Sequence, residues 1–345
     1  MNSEVFPVES LHGTQPVLVL GGAGFIGTRL TALLLEQGQA VRIGDLQPSK
    51  SYPELSTECD VRNRATLTGV SQGVAAIVNL AAEHRDDVRP ASRYTETNVE
   101  GAREVCEAAR LAGVSKLVFT SSVAVYGFHA RVVDESGPFE PFHDYGRTKL
   151  AAEAVYRAWA EEDPARTLVI VRPTVVFGEG NRGNVYNLLR QIVSGRFVMV
   201  GEGANRKSMA YVGNIAAFLA HSLTLGPGIH IANYVDKPDL CTRDLVTLIR
   251  QSLGQTGGVL RLPLGLAMAI GHGFDAVARI TGRRFPISAL RVRKFTESTQ
   301  FAADRVTALE FRAPYTLAEG LERTIHAEFA AGSSADAAEG EPGRV

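Results

Sequence analysis

The stretch PVLVLGGAGFIGTRLTALLLEQG limits this chain more than any other: four apolar residues, a turn with glycines at Gly21, Gly24 and Gly27, then an amphipathic run. A strand that feeds a tight glycine turn into a helix start aims backbone N–H groups and the positive end of the helix dipole at one point, which suits a phosphate. The missing side chains let the backbone approach that ligand and let the helix pack on its strand. Glycine clusters also make ordinary turns, so the surroundings decide. After a helix expected over Phe25 to Gln37, the segment GQAVRIGD gives a second strand ending in Asp45, about twenty residues past the glycines. A carboxylate there accepts hydrogen bonds from a ribose diol and repels a 2′-phosphate. NAD is therefore expected rather than NADP, although Arg42 and Lys50 are close in sequence.

Further strand-like runs are expected at Ala40–Ile43, Ala76–Leu80, Lys116–Thr120 and Leu168–Arg172, with helical patterns at Thr95–Leu111 and Tyr145–Ala160 between them. Alternation of this kind predicts an α/β fold with a doubly wound parallel sheet, and runs such as VLVL and AIVNL are apolar enough for strands buried on both faces. Ligands then bind at the carboxyl ends of the strands. From Gly178 onward the spacing loosens. The expected organisation is a flexible N-terminus (1–15), an NAD-binding Rossmann domain (16–178), a smaller C-terminal α/β substrate lobe (179–330) partly interleaved with the sheet, and a disordered tail (331–345).

With 345 residues, 45% hydrophobic residues and a formal net charge of −1, the chain has room for two lobes and no basic run suited to nucleic acid. The three cysteines, Cys59, Cys106 and Cys241, are dispersed and odd in number, which argues against a disulfide framework and for a cytoplasmic, reducing setting. The N-terminus is polar and acidic where a signal peptide needs a basic start and an apolar core. The most apolar later stretch, LPLGLAMAIGHGFDAVARI, is broken by Gly, His and Asp; it is expected as a helix buried in the second lobe, with lying on a membrane surface as the lesser alternative and no membrane insertion.

Two segments carry the chemistry. In YGRTK, Tyr145 and Lys149 are four apart and share a helical face, so an ammonium and the positive nicotinamide of NAD⁺ are expected to favour the phenolate. In VFTSSVAVYG, Ser122 ends a strand facing the same crevice and can hydrogen-bond the substrate oxygen that gains or loses a proton.

With these motifs in one order, the chain resembles the extended short-chain dehydrogenase/reductases, in their NAD-dependent epimerase/dehydratase branch, from Val17 to about Ile325. GGAGFIG matches the family's phosphate turn and adds Phe25 and Ile26 to the glycines; CDVRN places Asp60 and Val61 at the adenine. NLAAE sets Leu80, Ala81 and Ala82 beside the nicotinamide, with Asn79 where a histidine is usual. The resemblance implies Asn98 of TNVEGA as the active-site asparagine, Ser122, Tyr145 and Lys149 as the catalytic groups, and Pro173 of RPTVVFG at the carboxamide end of NAD. For the substrate it implies Glu83, His84, Ser122 and Val123 at the sugar, Asn184 and Val185 at the diphosphate of a UDP-sugar, and Lys207 in place of an arginine at the nucleotide. Arg85 is expected to join the sugar pocket.

Dehydratases of the branch carry Asp-Glu directly after the serine or threonine; Val123 and Ala124 cannot transfer protons, which excludes that reaction. A nucleotide-sugar 4-epimerase working by transient oxidation at C4 is the leading reading. A 4-dehydrogenase or reductase, a 3β-hydroxysteroid dehydrogenase-like enzyme and a non-catalytic NAD-binding sensor are the alternatives. His84 beside Asp86 and Asp87 imitates a metal site, but no metal is expected. Val99, Ala102, Val105 and Ala109 on one helix, with Ala152, Val155, Tyr156 and Trp159 on the next, exceed what one sheet face needs, and a homodimer across these helices is expected.

Overall fold

The structure, a computed structural model, describes residues 15–330 except 86–87, 130, 256–257 and 282–287. The N-terminal stretch to residue 14, the tail 331–345, and Asp86 and Asp87 therefore lie outside the described residues.

The described strands are β1 (Val17–Leu20), β2 (Val41–Asp45), β3 (Ser56–Glu58), β4 (Ala76–Asn79), β5 (Lys116–Thr120), β6 (Thr167–Pro173), β7 (Val175–Phe177), β8 (Val198–Val200), β9 (Arg206–Lys207), β10 (Met209–Tyr211), β11 (Gly228–Tyr234), β12 (Leu240–Cys241) and β13 (Leu260–Leu262). The helices are α1 (Phe25–Glu36), α2 (Arg64–Ser71), α3 (Ser92–Thr95), α4 (Gly101–Ala112), α5 (Asp144–Glu161), α6 (Asn184–Val193), α7 (Val212–Ser222), α8 (Thr242–Ser252), α9 (Leu264–Thr281), α10 (Ala289–Thr296), α11 (Asp304–Ala308) and α12 (Leu317–Ile325).

Seven strands make one sheet in the order β11-β6-β5-β4-β1-β2-β3, and all its neighbours run parallel. Side chains alternate across it, as the two-residue period of a strand requires. Leu18, Leu20, Ile77, Leu117 and Phe119 pack beneath α2, α4 and α5, while Val17, Val19, Val78 and Val118 pack against α1 and α7. Each such side chain contributes about 1.5–3 kcal/mol when fully buried. The strand order reverses between β1 and β4, so a crevice opens at their carboxyl ends.

The apolar residues expected to join two copies pack within the chain. Ala102, Val105, Ala109, Ala152, Tyr156 and Trp159 all sit in the core under the sheet, with Val155 packed against it. Beyond β6 the chain builds small strand pairs, β7 with β10, β9 with β12 and β8 with β13, around a separate core of Phe177, Leu189, Tyr211, Leu245 and Leu321.

One correction concerns the run expected as a buried helix. It forms α9, and most of its side chains are exposed, including Leu264, Leu266, Ile270 and Val277. Only a narrow side is covered, where a Cβ on Gly271 would come within 2.7 Å of the Ala289 nitrogen at the start of α10. Among the described residues no helix is long and apolar enough to cross a membrane.

Candidate active site

Gly21 takes φ +74°, and a Cβ there would lie 2.7 Å from the Ala81 nitrogen, so only glycine lets the turn press on the segment leaving β4. A Cβ on Gly27 would lie 2.5 Å from the Gly22 Cα, which fixes how closely α1 leaves the turn. α1 starts at Gly24 with no side-chain cap and no acidic residue in its first turn, so its leading N–H groups and dipole stay open to an anion. Asp45 braces the turn by accepting from the Ala23 nitrogen at 3.0 Å. Arg42 is turned away and donates to the Val70 and Gln72 carbonyls at 2.6 and 2.8 Å.

This turn opens on a cavity of about 630 Å³. Its wall includes Gly21, Gly24, Phe25, Ile26 and Gly27 from the turn, then Asp45, Asp60 and Val61, and further along Leu80, Ala81, Ala82, Glu83 and His84. Ser122, Tyr145, Lys149, Pro173 and Asn184 complete the expected residues on it. Two buried hydroxyls on the same wall, of Thr120 and Thr174, have no hydrogen-bond partner within the protein. Buried polar groups are rarely left so, and polar groups of a ligand would satisfy them. The open helix start, the carboxylate at Asp45 and these hydroxyls together fit a dinucleotide spanning the crevice.

Ser122 caps a single turn, Val123–Val125, accepting from the Ala124 nitrogen at 3.1 Å. α5 is capped by His143, whose Nδ1 accepts from the Gly146 nitrogen at 2.9 Å. A Cβ on Gly146 would stand 2.5 Å from the Ala124 carbonyl oxygen, so this glycine lets the helix start lie against the serine turn. The result is that the Tyr145 hydroxyl and the Ser122 side chain face one another on the cavity wall, close enough for Ser122 to lower the tyrosine's pKa. One turn on, Lys149 is buried, donates from Nζ to the Thr120 carbonyl at 2.7 Å and lies over the Phe119 ring.

The electrostatics differ from the simple expectation. Burial pushes Tyr145 up to about 12, with the Ser122 side chain opposing it. Burial also pushes Lys149 down to about 7, with the Glu153 carboxylate holding it up. The lysine is thus no permanent ammonium that lowers the tyrosine at neutral pH. Glu153, one turn beyond Lys149, meets Arg172 through two hydrogen bonds of 2.6 and 2.8 Å and accepts from Ser121 at 2.6 Å. Arg172 also reaches the Tyr126 hydroxyl at 2.7 Å. This buried network anchors α5 to β5 and β6 directly beneath the site.

Some expected residues are placed elsewhere. Asn98 stands behind the wall, where it accepts from the Glu83 nitrogen at 2.9 Å and donates to the Glu83 carbonyl and to Thr148. It sits in a π-helical turn, Glu96–Glu100, that joins α3 to α4 in place of the uniform helix expected. Val123 is not among the lining residues, and Val185 points into the core of the second lobe because the inward face of α6 is apolar. Lys207 hydrogen-bonds Thr299 at 3.3 Å and is not on the cavity wall either, since β9 pairs with β12 away from it. Arg85 is likewise absent from the wall, and its carbonyl accepts from the Tyr94 hydroxyl. Sequence reasoning missed Arg62, which grips Asp60 through its guanidinium, and Arg93, which lies 3.4 Å from the Glu83 carboxylate. A lone arginine in a loop, such as Arg62, or in a single helical turn, such as Arg93, leaves no spacing signal.

A doubly wound sheet, an anion-binding glycine turn at its switch point and a Ser-Tyr-Lys cluster across the crevice define a dinucleotide-dependent enzyme fold. The chain belongs to the NAD-dependent epimerase/dehydratase family, whose model matches residues 17–232, and NAD is its cofactor. An N-acetyl-α-D-glucosaminyl-diphospho-ditrans,octacis-undecaprenol 4-epimerase from Escherichia coli O157:H7 is 47% identical over 315 residues, 91% of this chain and 95% of that one. The UDP-N-acetylglucosamine 4-epimerase from Methanobrevibacter ruminantium M1, solved with UDP-N-acetylmuramic acid, superimposes with a TM-score of 0.72 at 20% identity over 92% of this chain and 99% of that one. The UDP-glucuronic acid 4-epimerase from Bacillus cereus, solved with NAD, gives 0.70 at 19% identity over 91% and 98%. At those two identities the likeness is one of fold.

Proposed function

We propose that the protein is an NAD-dependent 4-epimerase of a sugar carried on a diphosphate. The carrier is either a nucleotide, as in a UDP-hexose or UDP-N-acetylhexosamine, or a polyprenyl lipid. The observation that carries this reading is the Tyr145–Ser122 hydroxyl pair on the cavity wall, followed by Val123 and Ala124, which supply no acid or base for an elimination. The start of α6 supports the diphosphate: it has no side-chain cap, and Asn184 is on the wall. The lipid carrier is favoured by the substrate named for the 47% identical relative and by Lys207, the expected nucleotide contact, lying off the wall.

NAD, when bound, supplies a hydride acceptor and donor for C4, so oxidation and re-reduction leave no net redox change. In this reading the positive charge of bound NAD⁺ would favour the Tyr145 phenolate against the burial that opposes it, and that phenolate takes the 4-hydroxyl proton during oxidation and returns it during reduction. The Ser122 hydroxyl holds the same sugar oxygen, Lys149 holds the ribose hydroxyls of the nucleotide, and Asp45 holds the diol at the other end. Residues 16–178 form the cofactor domain, completed by β11 and α7, and the rest of 179–330 forms the lobe for the carrier. The protein works in the cytoplasm, supplies an epimerised sugar for polysaccharide assembly, and is a homodimer. The exposed side of α5, with Ala151, Ala154 and Ala158, is the surface such a dimer would join.

The test is incubation of purified protein, without added cofactor, with UDP-N-acetylglucosamine and separately with polyprenyl-diphospho-N-acetylglucosamine in detergent. The 4-epimer should form from at least one, and Tyr145→Phe should lower that rate at least about a hundredfold. Absence of epimer from both, with NADH appearing only when NAD⁺ is supplied, would make the protein a net dehydrogenase.

A further inference from the structure

α9 is 18 residues long, about 27 Å, and its outward face is apolar where a solvated helix is polar. Leu264 is 45% exposed, Leu266 52%, Ile270 39% and Val277 44%. Ala269, Gly273 and Ala276 fill the same outward side. The single acid of the helix, Asp275, is turned inward and accepts from the Ala289 nitrogen at 3.1 Å, which caps the approach of α10. α9 is therefore an apolar ridge seated on α10, with Leu290 of α10 exposed as well.

Charge identifies what covers it. Over the described residues 259–281 and 288–297 the basic residues are Arg261, Arg279, Arg291, Arg293 and Lys294, against the acids Asp275 and Glu297, the latter paired with Arg293 at 2.6 Å. Among the described residues Arg261, Arg279 and Arg291 are exposed. A second copy seated symmetrically on this ridge would bring two such basic clusters together, which is unfavourable. An anionic lipid surface accepts both features: apolar side chains enter the acyl boundary and arginines meet the headgroups.

We propose that α9 and the start of α10 dock the protein flat on an anionic phospholipid bilayer, as an interfacial rather than a spanning element. The chain ties this element to the site. α6 begins at Asn184 on the cavity wall and leads to β8, which pairs with β13 immediately before α9. The purpose of docking rests on the lipid-carried form of the substrate reading, because a polyprenyl diphosphate presents its sugar at the bilayer surface.

The experiment is flotation of the full chain, without substrate, on vesicles of phosphatidylethanolamine with phosphatidylglycerol, and on vesicles of phosphatidylcholine. Wild type should float with the anionic vesicles about tenfold more than with the neutral ones and be released by high salt. The variant L266E/I270E/V277E, altered only at exposed positions, should lose that binding while keeping the wild-type melting temperature and its activity on detergent-solubilised substrate. Failure of wild type to float, or equal binding by the triple variant, overturns the proposal. So does a dimer that the triple variant converts to monomer without any vesicle binding in wild type, since the ridge is then covered by a second copy. Loss of epimerase activity on every carrier would overturn the catalytic reading and leave the vesicle result standing.

Discussion

Lys149 is the residue whose chemistry burial changes most usefully. Its amine sits at about 7 in the fold against 10.5 in the unfolded chain, because desolvation outweighs the help from Glu153. Between those values the unfolded chain binds more protons than the folded one, so this group makes stability rise with pH and its contribution is lost as pH falls towards 7. In the cofactor-free protein, Lys149→Met should therefore flatten the rise in melting temperature between about 7 and 10.5; an unchanged slope would mean the amine stays charged in the fold. At this scale the sequence was legible where a spacing carried the message. Tyr145, Lys149 and Ser122 converge as their positions imply, and so do Asp45 and the three glycines. What spacing cannot convey is the direction a side chain takes once its neighbours are packed. Asn98 reaches the wall through Glu83, Val185 enters a core, and Lys207 follows its strand to Thr299. The shifts of Tyr145 and Lys149 arise from burial, which no motif encodes.

At the scale of elements, β1, β4, β5 and β6 were readable because strands covered on both faces are largely apolar, and these carry runs such as VLVL, AIV, LVF and LVIV. The π-helical turn at Glu96–Glu100 was not readable, since its extra residue is confined to one turn between helices and carries no residue-type signature. α9 misled for a related reason: hydropathy records what a segment prefers, and an exposed apolar helix contradicts it until its surface partner is considered. The approach of α5 to the serine turn is a third case, because Gly146 reads as an ordinary helix residue. Its role predicts that Gly146→Ala, by setting a Cβ 2.5 Å from the Ala124 carbonyl, pushes Tyr145 away from Ser122. Turnover should fall by about a hundredfold, the scale of a misplacement near 1 Å, with NAD affinity little changed. Wild-type turnover in that variant would show the close approach to be idle.

At the scale of the molecule, the sheet places a glycine turn, the Tyr145 and Ser122 hydroxyls and an uncapped helix start around one crevice, beside the small second lobe. The core under α4 and α5 absorbs the apolar residues that suggested a dimer, while the basic apolar ridge at α9 stays outside it. That division assigns chemistry to the crevice and attachment to the far lobe. The central claim is that C4 of the sugar is oxidised and re-reduced within one closed site. The measurement that tests it most directly uses substrate carrying deuterium at C4, incubated with purified protein and no added cofactor, with the 4-epimer analysed by NMR. The account predicts that the epimer keeps its deuterium at C4 and that no NADH accumulates. Exchange of the label with solvent, or epimer formed with the label at another carbon, would contradict it.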